Sequence, residues 1–132
     1  MIAYLDSSAF VKLVKEDDET PALIERLREW PERASSRLLR VEVLRAARQA
    51  DRKAFERAAA MLKDVALIPL AEPILERAVE IDPAPLRSLD SIHLATALEL
   101  GEDLGVLISY DRRLLAAAEA MGMATAAPAD RK

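Results

Sequence analysis

Two short apolar runs, each closed by an aspartate that opens a helical pattern, constrain this chain more than any other feature. Ile2-Ala3-Tyr4-Leu5 runs into Asp6-Ser7-Ser8, and Val106-Leu107-Ile108-Ser109-Tyr110 runs into Asp111 near the other end. Runs this short and apolar, bounded by polar turn-formers, read as buried strands. Strands alternating with helical stretches imply an α/β sandwich around a small, largely parallel sheet, because parallel neighbours need helical crossovers. In such sheets a site lies at the carboxyl ends of the strands. Asp6 and Asp111 both fall there.

The intervening chain supplies the helices. Asp6-Ser7-Ser8 opens one that continues to about Lys15, and Thr20-Pro21 starts another with proline in its first turn. Leu23, Ile24, Leu27 and Trp30 form a stripe at helical spacing that Pro31 ends. Ser35-Ser36 is read as the cap of a helix bearing Leu39, Glu42, Val43 and Ala46. Asp51 caps the next, with Phe55, Ala58, Ala59 and Leu62 on one face. Val65 to Leu70 is a second strand candidate, shortened by Pro69. Glu72-Pro73 begins a helix to about Ile81, and Asp82-Pro83-Ala84-Pro85 is a stiff loop. Ser88 is read as the cap of a helix from Leu89 to Leu100, Val106 to Ser109 as the third strand, and Asp111 to Gly122 as the last helix. Residues 124 to 125 can add a short edge strand. One domain over residues 1–125 and a frayed polar tail over 126–132 are expected.

Composition narrows the function classes. With 132 residues, 52% hydrophobic and 32% charged, the chain can close a single core and has no room for a long disordered region. Three glycines favour a helix-rich molecule with short loops. No apolar run approaches the ~20 residues of a membrane helix, so no membrane partner is expected. Met1 to Asp6 reads as the first core strand with no basic leader, which predicts a cytoplasmic protein. The absence of cysteine excludes disulfides, thiolate metal sites and cysteine nucleophiles. A net charge of −4 argues against a broad footprint for duplex DNA. It does not argue against a nuclease, whose acids bound cations would neutralise.

Four acids stand in apolar settings: Asp6, Glu42, Asp90 and Asp111. Each has a bland reading. Asp6 and Asp111 can cap helices, and Asp90 sits in a helix first turn where the dipole favours a negative charge. Glu42 can pair with Arg45 one turn on. Those readings weaken together, because Ser7, Ser36 and Ser88 offer neutral caps nearby and Glu42, flanked by Val41 and Val43, has no capping job. An isolated buried carboxylate costs several kcal/mol unless it protonates or finds a positive partner. If the four converge, a divalent cation is the cheapest partner. Carboxylates without histidine or cysteine ligands favour Mg²⁺ or Mn²⁺ over zinc, and such an ion suits phosphodiester hydrolysis.

Four motifs make the pattern specific. Tyr4-Leu5-Asp6-Ser7-Ser8-Ala9-Phe10-Val11-Lys12-Leu13 resembles the opening motif of PIN-domain ribonucleases of the VapC toxin type. Arg40-Val41-Glu42-Val43-Leu44-Arg45-Ala46 matches the weaker second motif. Leu86-Arg87-Ser88-Leu89-Asp90-Ser91-Ile92-His93-Leu94-Ala95-Thr96-Ala97 resembles the third almost position for position. Ile108-Ser109-Tyr110-Asp111-Arg112-Arg113-Leu114 resembles the fourth, with Ser109 where threonine is commoner. The resemblance implies a PIN-like three-layer α/β/α sandwich with an acidic Mg²⁺ or Mn²⁺ pocket that cleaves RNA. It makes Asp6 and Asp90 the principal metal ligands, Asp111 a further ligand or anchor, and Glu42 the acid that completes the catalytic pocket and orients water. It gives Ser8 and Ser109 the task of positioning carboxylates. It also implies a cognate antitoxin whose segment lies between helices, and a homodimer.

Other residues have competing readings. His93, the sole histidine, lies one turn after Asp90 and reads as a half-buried packing and hydrogen-bonding residue rather than a general acid. Arg87 and Arg112 stand beside site acids and read equally as salt-bridge partners or RNA-phosphate contacts. Trp30 reads as packing, since no other aromatic accompanies it. A second functional reading is a non-catalytic PIN-like module that binds RNA or protein. A phosphotransfer enzyme with Asp6 as nucleophile is disfavoured, because the usual second aspartate is Ser8 and no suitable lysine motif follows the later strand.

Overall fold

The computed structural model describes residues 1–82 and 86–129. Residues 83–85 of the stiff loop and 130–132 of the tail lie outside them. The chain runs β1 (Ile2–Leu5), α1 (Ser7–Val14), α2 (Thr20–Leu27), β2 (Arg33–Ser36), α3 (Leu38–Ala50) and α4 (Arg52–Met61). It continues β3 (Ala66–Ile68), α5 (Glu72–Glu80), α6 (Ser88–Leu98), β4 (Leu104–Ile108), α7 (Arg112–Ala120) and β5 (Thr125–Ala126). The strands form one sheet in the order β3-β2-β1-β4-β5, and every neighbouring pair is parallel.

Side-chain alternation along β1 and β4 sorts the helices into two layers. Ala3 and Leu5 on β1, with Val106 and Ile108 on β4, pack against Ala9 of α1 and Leu23 and Leu27 of α2. Tyr4 and Leu107 point the other way, against Ile74 and Ala78 of α5, Leu94 of α6 and Leu114 of α7. A further cluster joins Phe10 and Val14 of α1 to Leu39 and Val43 of α3 and to Ala54 and Ala58 of α4. The result is a PIN-like three-layer α/β/α sandwich with β1 in the middle of the sheet.

The structure departs from the sequence-based expectations at three places. β2 is a full strand, where Ser35-Ser36 reads as a helix cap alone. Its residues Ala34, Ser35 and Ser36 are buried, and Arg-Ala-Ser-Ser carries no β-branched or aromatic signal. The strand exists because its backbone is needed between β1 and β3, with the Ser35 hydroxyl donating to the Leu5 carbonyl at 2.6 Å. Ser36 accepts from the Leu38 N–H at 3.1 Å from within the strand, while Arg37 holds the cap position of α3 without a side-chain hydrogen bond. Ser88 is not a cap: it is the first residue of α6, and Arg87 holds the cap position without a side-chain hydrogen bond. The chain also stays packed beyond residue 125. Ala126 belongs to β5, Pro128 is buried, and its carbonyl accepts from the Tyr110 hydroxyl at 2.7 Å.

Gly105 is the glycine that packing requires. A Cβ on it would overlap the Trp30 ring. Trp30 is thus a packing residue against the cluster of β1, β4 and α2. Gly105→Ala is expected to destabilise the fold by about 1–3 kcal/mol through overpacking, read from urea denaturation. On a Trp30→Leu background the same change should cost much less.

Candidate active site

Four separate elements carry the four acids to the carboxyl edge of the sheet. Asp6 follows β1, Asp111 follows β4, Asp90 lies in the first turn of α6 and Glu42 in α3. All four line one cleft of about 730 Å³, together with Ser7, Ser8, Val11, Lys12 and Arg87. The chain segments meet there because parallel strands all end on the same side, and the helices that follow begin there.

Asp6 is 3% exposed and bonded on both oxygens. Ser8 donates to Oδ1 at 2.7 Å, the Ala9 N–H donates to Oδ1 at 3.1 Å, and Ser109 donates to Oδ2 at 2.7 Å. The capping reading and the site reading therefore describe one carboxylate. Both serines expected to position carboxylates do so on Asp6. Burial pushes the Asp6 pKa up, against the pull of Ser8, Ser109, the Ala9 N–H and His93.

Asp90 and Asp111 form the outer half of the site. Burial and then the charge of Asp111 raise the Asp90 pKa, against the opposing effect of Arg87. Burial pushes Asp111 upward too, but the Arg113 and Leu114 N–H groups and Arg87 outweigh it and its pKa is lowered. Arg87 bridges the pair, with Nε 3.2 Å from Asp90 and Nη2 3.0 Å from Asp111. Its side chain is 70% exposed, so water screens both bonds. Of the two readings for Arg87, the geometry selects the salt bridge.

Glu42 does not pair with Arg45. Its Oε1 is 2.7 Å from His93 Nε2, and its Oε2 accepts from Ser7 at 3.3 Å. His93 is 1% exposed and its Nδ1 lies 2.7 Å from the Tyr4 hydroxyl, which accepts from the Ser36 N–H at 3.2 Å. Tyr4 can then donate to Nδ1, leaving Nε2–H to donate to Glu42. His93 is therefore the buried, hydrogen-bonded residue expected of it, and its partner is a site acid. Only the i, i+3 step from Asp90 hinted at that in the sequence. Lys12 was not singled out there at all. It reaches the cleft 4.5 Å above the Tyr110 ring and pairs with Asp17 and, at 2.9 Å, with Glu19.

The donor set suits a hard cation, with carboxylates and serine hydroxyls but no histidine or cysteine among the described residues lining the cleft, and two mutually repelling acids bridged by a guanidinium. Among the described residues no three acids or histidines already stand close enough to enclose an ion.

With the fold and the cleft described, the relationship to known proteins is direct. A model of the PIN domain matches residues 3–120, and the chain belongs to that family. It is 47% identical over 128 residues to Ribonuclease VapC46 of Mycobacterium tuberculosis strain ATCC 25618 / H37Rv, covering 95% of this chain and 96% of that protein. It is 39% identical over 134 residues to Ribonuclease VapC47 of strain CDC 1551 / Oshkosh, with the same coverage of each. Within the PIN family, then, the chain is one of the VapC ribonucleases. Two solved structures share the fold. A toxin–antitoxin complex from Klebsiella pneumoniae has a TM-score of 0.76 at 23% identity, over 98% of this chain and 99% of that one. The sarcin-ricin loop cleaving toxin VapC20 of Mycobacterium tuberculosis has a TM-score of 0.73 at 18% identity, over 96% and 99%.

Two measurements test this geometry. Tyr4→Phe should cost about 1–3 kcal/mol in urea denaturation, because it strands the Ser36 N–H and His93 Nδ1, and His93→Leu should cost more. The second concerns pH. The raised pKa of Asp6 means that the folded state binds this proton more tightly than the unfolded state. The group therefore favours folding below the unfolded value of about 3.9, and that contribution is lost as pH rises through the folded value. In chelator, Asp6→Asn should melt higher than the parent at pH 7, and the gap should close as the pH falls.

Proposed function

We propose that this chain is a metal-dependent endoribonuclease, the toxin of a type II toxin–antitoxin pair, hydrolysing RNA phosphodiester bonds in the cleft of Asp6, Glu42, Asp90 and Asp111. The observation that carries this reading is the arrival of four acids, from four elements, at one cleft on the carboxyl edge of the sheet. The names of its relatives, ribonucleases of the VapC series, point the same way.

Asp6, Asp90 and Asp111 would hold Mg²⁺ or Mn²⁺. Such an ion, once bound, activates water and stabilises charge developing on the leaving oxygen. The chain's own residues prepare the site. Ser8, Ser109 and the Ala9 N–H hold Asp6 in one rotamer, so its carboxylate needs no reorganisation. His93 and Ser7 hold Glu42 by its two oxygens and aim it into the cleft, where it can orient the attacking water and take its proton. Arg87 neutralises Asp90 and Asp111, and with a cation held by those acids it would be free to meet a phosphate.

The partners belong to the same reading: single-stranded RNA as substrate, a cognate antitoxin, and a second copy of the chain in a homodimer. No helix among the described residues is long and apolar enough to cross a membrane, and the proposed location is the cytoplasm.

Asp6→Asn and Asp90→Asn should each reduce Mn²⁺-dependent cleavage of a labelled RNA by more than about 100-fold while circular dichroism stays unchanged. Cleavage that persists in both variants and in excess chelator would refute the assignment. A non-catalytic module would instead bind RNA with no uptake of Mn²⁺ that depends on these aspartates.

A further inference from the structure

Charge is unevenly placed on this molecule. The chain carries a net charge of −4, yet from Arg37 to Arg48 it has four arginines, Arg37, Arg40, Arg45 and Arg48, and one acid, Glu42. All four arginines are exposed. Elsewhere several exposed arginines are paired, Arg26 with Glu29, Arg28 with Glu25, Arg52 with Glu56 and Arg87 with two aspartates, and those outside any ion pair among the described residues, Arg57, Arg77, Arg112 and Arg113, do not form such a row along one helix. Among the described residues, none of the four on α3 enters an ion pair. The reason is local. Glu42, the acid within reach of Arg45, is turned away into the cleft by His93 and Ser7.

Helix geometry gives these side chains a direction. Leu39, Val43 and Ala47 are the buried face of α3. Glu42 and Ala46 face the cleft. At 100° per residue, Arg37, Arg45 and Arg48 project from the side opposite the buried face, with Arg40 on its flank. From Arg37 to Arg48 the row spans about 16 Å along the axis. Arg45 stands one turn from Glu42, so the row reaches the lip of the cleft. Val41 is the one strongly exposed large apolar residue of α3. A protein interface would want an apolar centre with charge at its rim, whereas a row of guanidiniums suits a phosphate backbone.

We propose that the outer face of α3, through Arg37, Arg40, Arg45 and Arg48, is the track along which single-stranded RNA lays its phosphates on the way into the acidic cleft. The inference rests on the ribonuclease reading of that cleft and adds a route to it. The track solves a problem the cleft creates, since clustered carboxylates repel the polyanion they are to cut. Four unpaired guanidiniums beside them supply attraction where the acids cannot. Recognition of this kind positions the strand and reads no sequence.

The test is binding of a fluorescently labelled single-stranded oligoribonucleotide in EDTA, followed by anisotropy across a salt series. For single strands each phosphate contact contributes about −0.7 to the slope of log K against log salt. The triple variant Arg37→Gln, Arg45→Gln, Arg48→Gln should flatten that slope by about 2 and weaken binding at least roughly tenfold at moderate salt. A control triple, Arg26→Gln, Arg28→Gln, Arg77→Gln, removes the same charge elsewhere and should change affinity less than about twofold. Melting curves check that both variants fold. The proposal is overturned if the α3 variant keeps the parent slope, if the control loses as much, or if the parent has no affinity for RNA. An α3 variant that keeps RNA binding but no longer binds an acidic peptide would reassign the face to a protein partner. Parent protein that binds along α3 but never cleaves with Mn²⁺ would refute the endoribonuclease reading and leave the track standing.

Discussion

The carboxylate of Asp6 is the point on which this structure turns. It ends the central strand, caps α1 through the Ala9 N–H, and ties β1 to the end of β4 through Ser109. The Ser8 hydroxyl that donates to it also accepts from the Tyr110 N–H, and Ser109 accepts from the Asp111 N–H. One buried charge thereby sets the exits of both central strands, and with them the positions of Asp111 and α7. Burial alone would make that charge costly, and the raised pKa records the penalty. Hydrogen bonds to both oxygens make it tolerable.

The two halves of the cleft are held by different physics. Asp6 and Glu42 are fixed by buried hydrogen bonds that run back into the core through Ser109, His93 and Tyr4. Every buried side-chain polar atom among the described residues has a partner, so this inner half is preorganised. Asp90 and Asp111 are held by an exposed arginine. Exposed ion pairs are weak and exchange readily with solvent. The outer half can therefore rearrange without disturbing the inner one.

Much of this was legible in the sequence, residue by residue. Asp6 and Asp111 follow apolar runs and open helices, so local pattern placed both at strand ends, where they are found. Asp51 caps α4 as its position suggested. The motif around Asp90 carried the family resemblance, and the family is the one the chain belongs to. β2 was illegible as a strand because Arg-Ala-Ser-Ser has no strand propensity of its own. Small residues are there because the Ser35 hydroxyl meets the Leu5 carbonyl and the Ser36 N–H meets Tyr4. Ser88 resembled a cap, but the helix begins one residue sooner than that reading allows. Glu42 and Arg45 looked like an i, i+3 pair, and a histidine far along the chain took the acid instead.

By itself the sequence determined most of the alternation of strands and helices, β2 excepted, most of the buried faces, Ile24 and Phe55 excepted because both are exposed, and the strand-end placement of two of the four acids. Those are consequences of hydrophobic period and capping chemistry, which act over a few residues. Tertiary structure alone decided that Tyr4, Ser36, His93 and Glu42 share one hydrogen-bonded chain, that Arg87 bridges Asp90 and Asp111, and that the arginines of α3 find no ion-pair partner among the described residues. These outcomes depend on which side chains meet across the sheet and between layers. No local pattern encodes such a meeting, because long side chains choose among partners only after the backbone has brought the candidates together.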